Sequence, residues 1–190
     1  IDAKQWEMRA VNESQSEPLV RGPRDGFTET LRINTAMLRR RIRTPNLKME
    51  MFQVGRISRT DIVVAYIDTI ANPKVVEEIR SRIKRIDIDG ILESAYLEEF
   101  IEDKPFTVFP QVDSTERPDK AAASLLEGKV IIVVDNTPFC LIMPIAFSNL
   151  LQTSEDYYLR SIYASFIRIL RFISINIALL LPALYIAIVT

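Results

Sequence analysis

Phe172 to Val189 is an uncharged run of eighteen residues, and it constrains the chain more than any other stretch. A bilayer core needs about 20 mostly apolar residues in a helix, with roughly 17 to 25 tolerated. The run meets that length, and Phe166, Ile167, Ile169 and Leu170 extend it. A buried core helix is the competing reading. A soluble core helix rarely runs so far without a polar face, which favours a membrane span. Ser174, Asn176 and Pro182 interrupt the run. Lipid offers these groups no hydrogen bond, so Asn176 marks a face expected to pack against other helices.

The remaining residues, about 150, suit one soluble domain. The chain has 190 residues and a net charge of −1, so it offers no polyelectrolyte attraction to nucleic acid. It contains no histidine, which excludes histidine catalysis and histidine metal sites. A single cysteine, Cys140, excludes an intrachain disulfide and a multi-cysteine metal site. The first residue is Ile1 rather than Met, and the chain reads as a piece of a longer protein. Charge is segregated along it. Arg21 to Arg59 holds ten basic residues against three acids, and Asp87 to Asp119 ten acids against two bases. Solvated faces account for this; so does packing of copies, basic face to acidic face.

Taken in order, residues 1–23 read as the terminal strand of an upstream subdomain followed by a linker, with Lys4 to Val11 alternating as a half-buried strand does. Residues 24–152 read as an α/β subdomain. Thr28 to Arg43 patterns as a helix with Phe27, Leu31, Leu38 and Ile42 inward and arginines outward. Without aromatic interleaving, that basic face is not assigned to nucleic acid. Leu47 to Val54 and Asp61 to Ile67 predict an antiparallel pair, the second strand apolar enough to be central. Asn72-Pro73 starts a helix, Asn72 as cap. Ile86 to Asp89 fits a short edge strand, and Ser94 a cap before Leu97, Phe100 and Ile101. Pro105, Pro110 and Pro118 are expected to block regular pairing in the stretch from Pro105 to Pro118. Pro118 opens a helix that Gly128 stops, and Lys129 to Asp135 followed by Phe139 to Met143 reads as a strand hairpin. Pro144 to Leu151 predicts a short helix. Residues 153–190 read as a juxtamembrane helix running into the span, with Thr153 and Asp156 at capping-box spacing. The fold class is thus α/β, a mixed sheet flanked by helices, followed by a C-terminal transmembrane helix. Arg160, Arg168 and Arg171 flank the span on its amino side, which puts the soluble domain in the cytoplasm under the positive-inside rule.

Catalytic machinery is missing from the pattern. The five glycines never cluster into a phosphate loop. Glu98, Glu99, Glu102 and Asp103 read as a solvated acidic helix face rather than an acid/base or cation site. Cys140 lies in an apolar strand, where cysteine acts as a small hydrophobe. No enzyme activity and no cofactor is expected. The structural and interaction candidates are Glu116, Arg117, Arg168, Arg171 and Asn176. Arg117 suits a fixed acceptor because its planar fork bonds in two places at once. Lys120 is expected on an exposed helix face.

Several motifs resemble one family. They are Arg21-Gly22-Pro23 with Phe27-Thr28-Glu29, Ile86 to Ser94, Phe109-Pro110-Gln111 with Thr115 to Asp119, and Leu125 to Val130. Glu155-Asp156-Tyr157-Tyr158 leading to Ala164 through Arg168, then Leu179 to Tyr185, completes the set. In this order they are similar to the A subunits of the spore germinant receptors, the GerA-type spore germination proteins. The resemblance covers Arg21 to Thr190. It implies a spore inner-membrane protein with a cytoplasmic domain of two subdomains, of which this chain carries the end of the first, the second and the first membrane helix. It also implies a nutrient-binding B subunit and a lipoprotein C subunit as partners, and assembly of A subunits into a ring-shaped, nutrient-gated ion channel. A sporulation-specific paralogue shares the motifs. On the residues alone, a membrane-anchored adaptor that scaffolds partners without conducting ions is the alternative.

Overall fold

The computed structural model describes residue 14, residues 16–17, 22–103, 107, 109–151 and 153–189. The expected strand at Lys4 to Val11, and Pro105, lie outside the described residues. The chain divides into two compact units, principally Pro23–Ile145 and Ala146–Thr190.

The first unit is a five-stranded sheet with helices on both faces. Helix α1 (Leu31–Arg41) precedes strands β1 (Leu47–Val54) and β2 (Thr60–Ile67); α2 (Pro73–Arg85) and α3 (Ser94–Ile101) follow. Then come β3 (Asp113–Thr115), α4 (Pro118–Leu126), β4 (Val130–Val134) and β5 (Cys140–Met143). The strand order is β1-β2-β4-β5-β3, and all four pairings are antiparallel. Short links force that direction on β1–β2 and β4–β5. The apolar runs occupy the middle: β4 is buried throughout and β2 nearly so. Alternation then sorts their side chains to two cores. Ile62, Val64, Ile132 and Leu141 meet α2 and α3; Val63, Ala65, Ile131 and Val133 meet α1 and α4.

Local signals account for most boundaries. Asn72 accepts from Lys74 N at 3.0 Å, with Pro73 at the first helical position. Pro118 opens α4, and Gly128, at φ +87, follows it where a Cβ would lie 3.0 Å from the Ile70 carbonyl oxygen.

Four expectations are corrected. The first helix begins at Leu31, not Thr28, because Asn34 folds back on Thr28, accepting from its N at 2.8 Å and donating to its carbonyl at 2.5 Å. Ile86 to Asp89 forms no strand; the Ile88 and Asp89 carbonyls instead accept from Arg56 N and Ile57 N of the β1–β2 turn, at 2.9 and 2.8 Å. Ser94 is the first residue of α3 rather than its cap; the Glu93 carboxylate accepts from Ala95 N at 2.9 Å. That helix holds Leu97, Phe100 and Ile101 as expected, with Leu97 and Ile101 buried and Phe100 exposed. Pro110 and Pro118 do not prevent pairing: they bracket Asp113–Thr115, which form the edge strand on β5.

The second unit holds α5 (Phe147–Leu150), a 3₁₀ turn at Ser154–Tyr157, and α6 (Ser161–Val189). The expected helix from Thr153 into the apolar run is therefore broken before Ser161. α6 has 29 residues, about 44 Å at 1.5 Å per residue. Among the described residues it is the one helix long and apolar enough to cross a membrane. Pro182 lies inside it.

Candidate functional site

Two polar constellations stand out, one in each unit, and they hold four of the five candidate residues.

In the α/β unit, Glu116 and Arg117 form the corner between β3 and α4. Thr115 Oγ1 accepts from Arg117 N at 3.1 Å, and Pro118 then fixes the first helical turn. This aims the Arg117 side chain inward, where 1% of it is exposed. Its guanidinium donates to Asp119 Oδ2 at 2.7 Å, the Pro23 carbonyl at 2.9 Å and the Glu17 carbonyl at 3.3 Å. The Glu17 carboxylate accepts from Thr115 Oγ1 at 2.5 Å and from Lys120 Nζ at 3.3 Å; Lys120 also pairs with Asp113 at 3.0 Å. Glu116 takes Ser14 Oγ at 2.9 Å and Ser16 N at 3.3 Å, and its carbonyl accepts from Phe27 N at 2.7 Å. The corner thus holds Ser14, Ser16, Glu17, Pro23 and Phe27, donating to some and accepting from others across about a hundred positions of sequence. Lys120 is corrected here. It is largely buried and bridges two carboxylates, because α4 turns it toward Glu17. Neither Glu17 nor Lys120 carries a local signal that finds this role.

In the C-terminal unit, Arg168 and Arg171 lie three residues apart on α6, a spacing that shares a helix face. Both reach Asp156. Arg168 Nε is 3.2 Å from Oδ2, Arg171 Nη1 is 3.5 Å from it, and Thr153 N donates to the same oxygen at 3.2 Å. Arg171 also donates to the Leu151 carbonyl. The Asp156 side chain is 1% exposed. A buried carboxylate with two guanidinium partners ties the 3₁₀ turn to the foot of α6. Asp156 was legible as the acid of a capping box and as part of the Glu155 to Tyr158 motif, not as an arginine partner.

Asn176 joins neither group. Its Nδ2 donates to the Phe172 carbonyl at 2.8 Å, and Ser174 Oγ likewise donates to the Leu170 carbonyl at 2.8 Å. Both bond back one turn within α6, satisfying a donor that lipid cannot.

Glu50 belongs to a further polar cluster, on the sheet face that carries α2. Arg80 bonds Glu50 at 2.5 and 2.7 Å and holds its carboxyl below the usual range, while Tyr66 OH donates to the same carboxylate at 2.6 Å. Burial, with the acids Glu102 and Glu93 nearby, pushes Glu98 up. Burial also pushes the Cys140 thiol up, away from a nucleophilic thiolate. A cleft of about 270 Å³ has an apolar floor of Val75, Ile79, Ile101, Val112 and Met143. At its rim Arg82 is engaged by Glu78, Asp103 and the Ile101 carbonyl. Among the described residues no group of three or more histidines, cysteines or carboxylates is placed to hold a metal ion.

The family model for the Bacillus/Clostridium GerA spore germination protein matches residues 1–190. The chain belongs to the GerA family. This GerA chain is 50% identical, over its whole length, to 37% of the membrane protein YfkQ of Bacillus subtilis (strain 168). It is 48% identical over 97% of its length to 34% of spore germination protein KA of the same organism. It thus spans little more than a third of these relatives. A solved structure, the N-terminal domain of the A subunit of the Bacillus megaterium spore germinant receptor GerK3, matches 64% of the GerA chain and 97% of that domain, with 54% identity and a TM-score of 0.52.

Proposed function

We propose that this chain is part of the A subunit of a spore germinant receptor and acts in nutrient-triggered germination, within an oligomeric ion channel of the spore inner membrane. The observation that carries the reading is the joining, in one GerA-family chain, of an α/β unit akin to a receptor A-subunit domain with a helix fit to span a bilayer. On this reading the α/β unit lies in the cytoplasm, since Arg160, Arg168 and Arg171 stand on the amino side of the uncharged run. It works with B and C subunits and does no covalent chemistry. The Arg117 corner fixes how the preceding subdomain is attached, and the Asp156 clasp fixes how the first membrane helix leaves its juxtamembrane turn.

The test uses spores that lack the gene for the full-length protein. Release of potassium and dipicolinic acid should fail for at least one nutrient and return on complementation. Release that stays normal with every nutrient that germinates the parent would overturn the reading. Single cysteines before Ser154 should also resist an impermeant thiol reagent in intact protoplasts. Labelling from outside would reverse the topology.

One observation favours the adaptor alternative. The amide donor of Asn176 is satisfied inside its own helix, so α6 needs no neighbour for that bond. An adaptor would recruit partners without affecting ion release.

A further inference from the structure

Helices α1 and α3 lie on opposite faces of one sheet, and their outward surfaces are opposite in charge. Leu31, Met37 and Leu38 of α1 pack in one core, and Leu97 and Ile101 of α3 in the other. Residues 31–43 contain five arginines and no acid. Arg41 is held by Asp25 at 2.6 Å. Arg32, Arg39, Arg40 and Arg43 are exposed, and none has a carboxylate partner among the described residues. Helical spacing puts Arg32, Ala36 and Arg39 in one stripe, with Arg40 next to it; Arg43 follows the end of the helix.

The other face is the converse. Residues 86–103 contain seven acids and no base. Tyr96 and Phe100, one turn apart on α3, are 48% and 45% exposed, and Leu92 just before the helix is 71% exposed. Glu99 stands beside them, exposed and without an ion-pair partner among the described residues. Arginine is the side chain suited to such a surface, because its guanidinium stacks on aromatic faces while it pairs with carboxylates.

The sheet separates the two surfaces, so one molecule cannot bring them together; a second copy can. We propose that the arginine stripe of α1 on one copy docks on the Leu92–Tyr96–Phe100 face of α3 on the next. Complementary charge at equal copy number is what selects a second copy of this chain as the occupant. The contact is heterologous, so each copy keeps one surface free for a further neighbour, and the assembly closes into a ring or extends as a filament. The inference deepens the oligomeric part of the germinant-receptor reading and rests on it only for its biological setting.

The test uses the whole 190-residue chain in detergent micelles, with Cys140→Ala as background. Chains carrying Arg39→Cys and chains carrying Glu99→Cys should form a disulfide-linked dimer when mixed and oxidised, and neither should link to itself. Reversing one face, as Arg39→Glu/Arg40→Glu or as Glu98→Arg/Glu99→Arg, should weaken self-association at least tenfold in sedimentation, with melting unchanged. An equimolar mixture of the two reversed chains should regain it, because each then complements the other. No mixed disulfide, or self-links as strong as mixed ones, overturns the proposal. So does loss of binding to phosphatidylserine vesicles by Arg39→Glu/Arg40→Glu with self-association intact, which would assign the stripe to lipid. Should a reversed chain fail to fold, the cysteine arm decides alone. Germination that depends on the gene without the mixed disulfide defeats this inference and leaves the receptor reading; the disulfide without that dependence does the reverse.

Discussion

Arg117 is fully buried, and two backbone carbonyls and a carboxylate surround its guanidinium at 1% exposure. Removing one partner of a buried charge cluster leaves the others uncompensated. Arg117→Lys keeps the charge but cannot serve three acceptors in a planar fork. It should lower stability by about 1–2 kcal/mol in urea unfolding, and Arg117→Ala by about 3 kcal/mol. Lys120 is no neutral control, since it bridges Glu17 and Asp113. Lys74→Ala, on the exposed start of α2, is the proper one and should leave the midpoint unchanged. Equal midpoints for Arg117→Lys and Lys74→Ala would remove the corner's structural role.

Glu50 gives a pH dependence of definite sign. Arg80 lowers its folded pKa below the ordinary carboxylate value. A depressed carboxyl contributes stability that is present above its unfolded pKa and lost as pH falls through the folded one. Parent and Glu50→Gln should therefore differ in melting temperature at pH 7 and converge below the ordinary carboxylate range. A difference that persists unchanged in acid would assign the effect to packing rather than charge.

At the scale of elements, the foot of α6 depends on one residue outside the helix. Asp156 receives Arg168, Arg171 and Thr153 N, so the turn at Ser154–Tyr157 and the first turns of α6 are coupled by charge. Asp156→Asn keeps the shape and removes the charge. Tryptic cleavage after Arg168 and Arg171 in micelles should rise several-fold, with no shift in melting of the α/β unit. Unchanged cleavage would mean the helix foot is held by apolar packing alone. The sheet shows the same principle in its core. β2 and β4 adjoin at the centre, and their alternation feeds two separate cores, so every residue of β4 is buried.

At the scale of the whole molecule, the germination reading turns on whether α6 works in company. Asn176 bonds its own helix through one Nδ2 hydrogen, which leaves the second hydrogen and the carbonyl oxygen to offer a neighbour. In the full-length protein, Asn176→Leu should leave membrane insertion intact and reduce both the cross-linked ladder in spore membranes and nutrient-triggered ion release. Normal release with a normal ladder would favour the adaptor.

Much of this architecture was legible in the sequence because its causes are local. Short apolar runs rich in β-branched residues suit central strands covered on both faces, so Ile62 to Ile67 and Val130 to Val134 declared themselves. Asn72-Pro73, Pro118 and Gly128 act through their own backbone geometry and set helix limits wherever they occur. The eighteen uncharged residues after Arg171 fix a long apolar helix by composition. Contacts between distant residues were decided by the tertiary structure alone. α1 starts at Leu31 partly because Asp135 accepts from Leu31 N at 3.0 Å across 104 positions. Glu17 closes on Arg117 and Lys120, and Asp156 gathers two arginines. A carboxylate has no periodicity, and its partner is set by where the backbone brings a cation within reach. Strand β3 is the same case on the backbone scale: three residues between prolines become a strand because the exposed edge of β5 offers them hydrogen bonds.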